Sequence, residues 1–159
     1  MKKVGVLALQ GAFIEHEKML EQLGVSYIEL RNKEDLEKPY DGIILPGGES
    51  TVQGKLLKEL DMFDTIKKQI EEGMPVLATC AGLILLAKDI KDQEETYFGT
   101  IPMTFIMAPY VESVEEGVKV LAEVDGNIVG VEYGNQIGVA FHPELDENLR
   151  VHEKFISRL

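Results

Sequence analysis

One cysteine, Cys80, occurs among the 159 residues, so no internal disulfide can form. That removes the disulfide-stapled secreted class and points to a reducing compartment, expected to be the cytoplasm. Positive charge is also scarce: 16 Lys and Arg stand against 28 Asp and Glu, a formal net charge of −12. Such a surface repels a phosphate backbone, and no basic run gathers into a patch, which argues against nucleic acid as a partner. No apolar stretch approaches the roughly 20 residues of a transmembrane helix, so no membrane is expected either. The apolar start is broken at Gln10-Gly11 and followed by Glu15, His16, Glu17 and Lys18, which does not fit a signal peptide. Internal repeats and low-complexity linkers are lacking too. What is there, 45% hydrophobic and 28% charged, reads as one soluble globular domain over residues 1–159.

The first half alternates two periodicities. Val4 to Leu9, Val25 to Leu30, Gly42 to Leu45 and Pro75 to Ala78 are short apolar runs that suit strands buried on both faces. Between them lie helical patterns. Phe13, His16, Met19, Leu20 and Leu23 share one face, with Gly24 as C-cap. Ser50 or Thr51 is placed to cap a helix carrying Val52, Leu56, Leu57 and Leu60. Met62 to Glu72 and Ala81 to Lys88 complete the helices of this half. The rhythm predicts an α/β fold with an open, mostly parallel sheet and helices on both faces. The second half predicts an antiparallel extension: Val118 to Val124, Ile128 to Tyr133 and Ile137 to Phe141, separated by Asp125-Gly126-Asn127 and Gly134-Asn135. Glu147 to Leu159 is a closing helix. Thr100 to Ala108 contains two strand-like pieces without turn residues between them. A loop is therefore expected to be missing at Thr104-Phe105, with those Cα atoms much farther apart than the roughly 3.8 Å of a peptide link.

Three segments can carry chemistry. Ala78-Thr79-Cys80-Ala81-Gly82 sets a nucleophile on a strand-to-helix turn among small residues. There the helix N-terminus is expected to favour thiolate, and the Ala81 amide can donate to an oxyanion. Taken alone, Cys80 is equally readable as a small buried hydrophobe. Phe141-His142-Pro143-Glu144 places an imidazole and a carboxylate two residues apart, so that Glu144 can fix the tautomer of His142. Pro46-Gly47-Gly48-Glu49-Ser50 ends a buried strand in two glycines, which let backbone amides turn toward a ligand. All three fall at C-terminal strand ends, where open α/β sheets bind ligands.

These residues resemble the triad, class I glutamine amidotransferases, whose fold is flavodoxin-like. Leu7-Ala8-Leu9-Gln10-Gly11-Ala12, Thr79-Cys80-Ala81-Gly82-Leu83 and Phe141-His142-Pro143-Glu144-Leu145 narrow the resemblance to the glutaminase subunits of pyridoxal 5'-phosphate synthase. It implies Cys80 as nucleophile, His142 as acid/base and Glu144 as its orienting partner. It implies that Gly47, Gly48 and Glu49 hold L-glutamine and that Ile106 contacts it. The Gly48 and Ala81 amides would form the oxyanion hole, with Gln10 in support. Ala78 and Met107 depart from the family's glycine and arginine, and the family's additional segment falls at the Thr104-Phe105 join.

No cofactor is implied, and the His/Glu/Cys set lacks structural zinc spacing. The resemblance implies a protein partner, a barrel-shaped synthase subunit that receives ammonia through a channel in an assembly of twelve plus twelve subunits. A triad glutaminase serving another synthase, a cysteine-dependent stress-type α/β protein and a non-catalytic module are the alternatives. His16 is assigned to structure or interface, His152 to the solvated surface, and the methionines to core filling.

Overall fold

The computed structural model describes residues 1–91, 93, 96–106, 110–145 and 149–159. Among the described residues ten strands form one sheet, in the order β2 (Ser26–Leu30), β1 (Lys3–Leu7), β3 (Gly42–Leu45), β4 (Val76–Thr79), β10 (Gln136–Val139), β9 (Asn127–Tyr133), β7 (Tyr110–Val114), β6 (Ile101–Ile106) and β5 (Ala87–Ile90), with β8 (Lys119–Val124) paired to β9. The parallel part consists of β1, β2, β3, β4 and β10. Antiparallel pairings of β10 with β9, of β9 with β8, and of β7 with β6 build the expected extension.

Strand residues alternate between two apolar cores, as the period of two requires. Leu7, Ile43, Leu45, Val76 and Ala78 face one core, and Val4, Val6, Ile44 and Leu77 face the other. The first is covered by α2 (Ser50–Glu59), α3 (Phe63–Glu71) and α4 (Ala81–Leu86) through Leu57, Ile66, Ile70 and Leu83. The second is covered by α1 (Phe13–Gln22) and α5 (Arg150–Ile156) through Leu20 and Phe155. α1 ends as its sequence predicts: Gly24 takes φ 70°, and the Val25 and Gly24 amides donate to the Leu20 and Glu21 carbonyls. This is a Schellman motif, in which a side chain at Gly24 would be strained.

Three sequence expectations need correction. The helix expected over Ala81 to Lys88 stops at Leu86, because the Phe98 and Gly99 amides both donate to the Leu85 carbonyl; β5 (Ala87–Ile90) begins at once. α2 has Glu49 rather than Ser50 or Thr51 at its N-cap, without a side-chain cap. The expected join at Thr104-Phe105 falls inside β6 (Ile101–Ile106). β6 runs through both residues, pairing Thr104 with Asp89 and Phe105 with Ile90, and the irregularity is taken up as a register shift against β7. His152 is fully buried rather than solvated, since it shares the inner face of α5 with Phe155. The expected start of the closing helix at Glu147, and Met107, lie outside the described residues.

Candidate active site

β4 delivers Cys80 at its C-terminal end. The Cys80 amide donates to the Val139 carbonyl at 2.8 Å, which ties the turn to β10, and the Cys80 carbonyl accepts from Leu83 at 3.0 Å to start α4. Between these constraints Cys80 is held at φ 48°, ψ −106°. Positive φ in a non-glycine residue costs energy and persists only where the surroundings impose it, commonly at functional sites. Cys80 is half-buried. Burial raises the thiol pKa, the Ala81 amide opposes that shift by hydrogen bonding, and Glu144 and Glu49 reinforce it. The expected thiolate preference is therefore not met, because the single favourable amide of a short helix loses to desolvation and two carboxylates.

The Gly47-Gly48 turn follows β3, next to β4 in the sheet. A Cβ on Gly47 would lie 2.5 Å from His142 Cε1 and 3.4 Å from Cys80 Cβ, so both residues converge on this turn and leave no space for a side chain there. Four hydrogen bonds pin the turn. The Ala12 amide donates to the Gly47 carbonyl at 2.9 Å, and the Glu49 amide donates to Gln10 Oε1 at 2.8 Å. The buried Gln53 side chain donates through Nε2 to the carbonyls of Gln10 (3.0 Å) and Pro46 (3.1 Å). Gln10 thus holds the turn through its side-chain and backbone oxygens.

His142 and Glu144 follow β10, and Pro143–Leu145 forms a 3-10 turn packed against α1. His142 Nδ1 lies 2.7 Å from Glu144 Oε1, which leaves Nε2 of the ring for another partner. The Glu144 side chain is fully buried, and that of His142 is 37% exposed. Thiol, imidazole, carboxylate and glycine turn therefore meet at one sheet edge, as expected from the strand ends. Ile106 closes β6, with β7, β9 and β10 standing between that strand and β4. Among the described residues no cluster of three or more His, Cys, Asp or Glu suits a metal ion.

The sequence model of the SNO glutamine amidotransferase family matches residues 6–101 and 91–159. The chain belongs to the SNO glutamine amidotransferase family. Within the family it is 51% identical to the pyridoxal 5'-phosphate synthase subunit PdxT of Desulfitobacterium hafniense strain Y51, over 99% of this chain and 93% of that one. It is 46% identical to the PdxT of Haemophilus influenzae strain PittEE, over 98% and 97%. A crystal structure of a glutamine amidotransferase superposes with a TM-score of 0.89 at 38% identity, covering 97% of both chains. The alignment with the first relative extends over 185 positions, so that SNO-family protein carries residues within the aligned span that this chain lacks.

Three buried residues of this family member went unread in the sequence or were read otherwise, Gln53, Thr79 and His152, and they are 0% exposed like His16. His16 Nε2 lies 3.1 Å from Thr79 Oγ1 and 3.5 Å from Glu144 Oε2, and His16 Nδ1 lies 2.8 Å from His152 Nε2. The signal for His16 was its place on the apolar stripe of α1, and for His152 its spacing of three from Phe155.

Proposed function

We propose that this chain is the glutaminase subunit of a pyridoxal 5'-phosphate synthase, hydrolysing L-glutamine to glutamate and ammonia with Cys80, His142 and Glu144. The observation that carries this reading is the 2.7 Å His142–Glu144 pair, set across the Gly47 turn from a cysteine held at positive φ. The PdxT name of the full-length relatives supports the choice of synthase.

Glutamine lies along Gly47, Gly48 and Glu49, with its carboxamide over Cys80. His142 Nε2 takes the thiol proton as Sγ attacks the carboxamide carbon. This answers the raised thiol pKa: the thiolate forms as the bond forms rather than standing free. The negative charge passes to the carboxamide oxygen, which the Gly48 and Ala81 amides stabilise, a contribution of about 2.7–4 kcal/mol for one well-placed donor. His142 returns the proton to the leaving nitrogen, ammonia departs, and a glutamyl thioester remains. Water then loses a proton to His142 and attacks the thioester, giving glutamate and the free thiol. Glu144 keeps Nδ1 of His142 protonated throughout and stabilises the imidazolium.

Ammonia released into water protonates and diffuses away, so the product needs an adjoining acceptor. That acceptor is the synthase subunit, in the assembly of twelve plus twelve subunits expected above. The test is ammonia release from glutamine by wild type and Cys80→Ala, each with and without the synthase subunit. Wild type with the partner should release ammonia and Cys80→Ala should not. Equal release by the two would overturn the reading.

A further inference from the structure

Beneath the proposed triad lies a second row of polar groups that the steps above do not use. His16 on α1 and His152 on α5 are both fully buried, with ring centroids 5.0 Å apart, and His16 reaches both Thr79, the residue before the nucleophile, and Glu144. Two atoms of this row have no hydrogen-bond partner among the described residues: Glu144 Oε2 and His152 Nδ1.

Those two atoms fix the protons. A buried N–H without an acceptor is costlier and rarer than a lone pair without a donor. His152 therefore carries its proton on Nε2, where His16 Nδ1 accepts it at 2.8 Å, and leaves Nδ1 as a bare lone pair. His16 must then carry its own proton on Nε2, the nitrogen that faces Thr79 Oγ1 at 3.1 Å and Glu144 Oε2 at 3.5 Å. The opposite arrangement would orphan an N–H on His152 and aim a lone pair of His16 at a carboxylate oxygen. Burial holds both rings neutral: it lowers the His152 pKa to about 4, and burial together with His152 and His142 keeps His16 well below the usual histidine value. The row thus passes orientation, not charge.

We propose that His16 is a positioning residue for the glutaminase reaction: oriented by His152, it directs Nε2–H at Glu144 Oε2, so that Oε1 stays on His142 Nδ1 and Nε2 of His142 stays free for the thiol. This rests on the glutaminase reading above. At metal sites, partners that orient a ligating histidine or carboxylate from behind are worth about 10- to 100-fold when removed, and the same orienting task sets the scale here.

The experiment compares wild type, His16→Leu and His16→Gln in the complex with the synthase subunit, reading kcat and KM for glutamine. The glutamine amide can present an N–H where Nε2–H stood, and leucine cannot. His16→Leu should lose about 10- to 100-fold in kcat with little change in KM, and His16→Gln should recover most of that loss. A kcat for His16→Leu within about twofold of wild type would overturn the proposal. Equal losses in the two variants, or a loss confined to KM, would overturn it as well. Nitrogen-15 NMR of wild-type chain labelled at histidine tests it without a variant. His16 and His152 should both be neutral and protonated at Nε2 at pH 7; Nδ1 protonation or an imidazolium at His16 would be the contrary result. The glutaminase reading fails separately, if wild type in the complex is no faster than Cys80→Ala.

Discussion

His142 Nδ1 lies 2.7 Å from Glu144 Oε1, with the carboxylate sealed from solvent and the imidazole partly open to it. A buried carboxylate in that place does two things for the ring: it selects the tautomer protonated at Nδ1, and it stabilises the imidazolium formed when the ring takes a proton. Glu144→Gln keeps the volume and loses the charge. Its amide can also turn an N–H toward Nδ1, which would favour the wrong tautomer. Glutamine hydrolysis should fall by on the order of 10³–10⁴ in kcat, as expected for a triad whose orienting carboxylate is neutralised, while KM moves little. Steady-state ammonia release in the complex checks this. A fall of less than about tenfold would remove Glu144 from the machinery.

Much of this site was legible because its parts are local. Strand, turn and nucleophile lie within Ala78 to Gly82, the imidazole and its carboxylate are two residues apart, and the glycine turn directly follows β3. Each feature has a local physical cause, so sequence alone located it. The row beneath was not legible in the same way. His16 and His152 are 136 positions apart and meet only because α1 and α5 cover the same sheet face over Thr79. An apolar stripe says that a position is buried, not what it meets. The end of α4 shows the same limit: nothing in Leu85-Leu86-Ala87 stops a helix, and the stop comes from Phe98 and Gly99 arriving from elsewhere in the chain.

Gly47 is the position where the site has no room to spare. A Cβ there would press on His142 Cε1 at 2.5 Å and Nδ1 at 3.0 Å, and the neighbouring Cys80 limits any retreat. Gly47→Ala should therefore displace the imidazole by some tenths of an ångström and leave both cores untouched. A misplacement of about 1 Å at a reacting group can cost about 100-fold, so a loss of about 10- to 100-fold in kcat is expected. Thermal unfolding should change far less than activity, because the clash falls on a partly exposed side chain. A variant with wild-type kcat, or one that unfolds before it loses activity, would contradict this account of the turn.

Glu17 gives a pH-dependent test that leaves the reaction aside. It is 6% exposed on α1, and its Oε2 has no hydrogen-bond partner among the described residues. Its pKa is raised from 4.5 to about 7, first by burial and then by Glu29 and Glu21, with Arg31 pulling the other way. The folded state thus holds a proton that the unfolded state has already released between pH 4.5 and about 7. Stability from this group is fully present below the unfolded value and is lost as pH rises through that window. Glu17→Gln mimics the protonated form at every pH. It should match wild type near pH 4.5 and be more stable above pH 7, by about 3 kcal/mol. Chemical denaturation of both proteins at pH 5 and pH 8 measures the difference, which should widen toward pH 8. A gap that stays constant or narrows would show that Glu17 is ionised and satisfied in the folded chain.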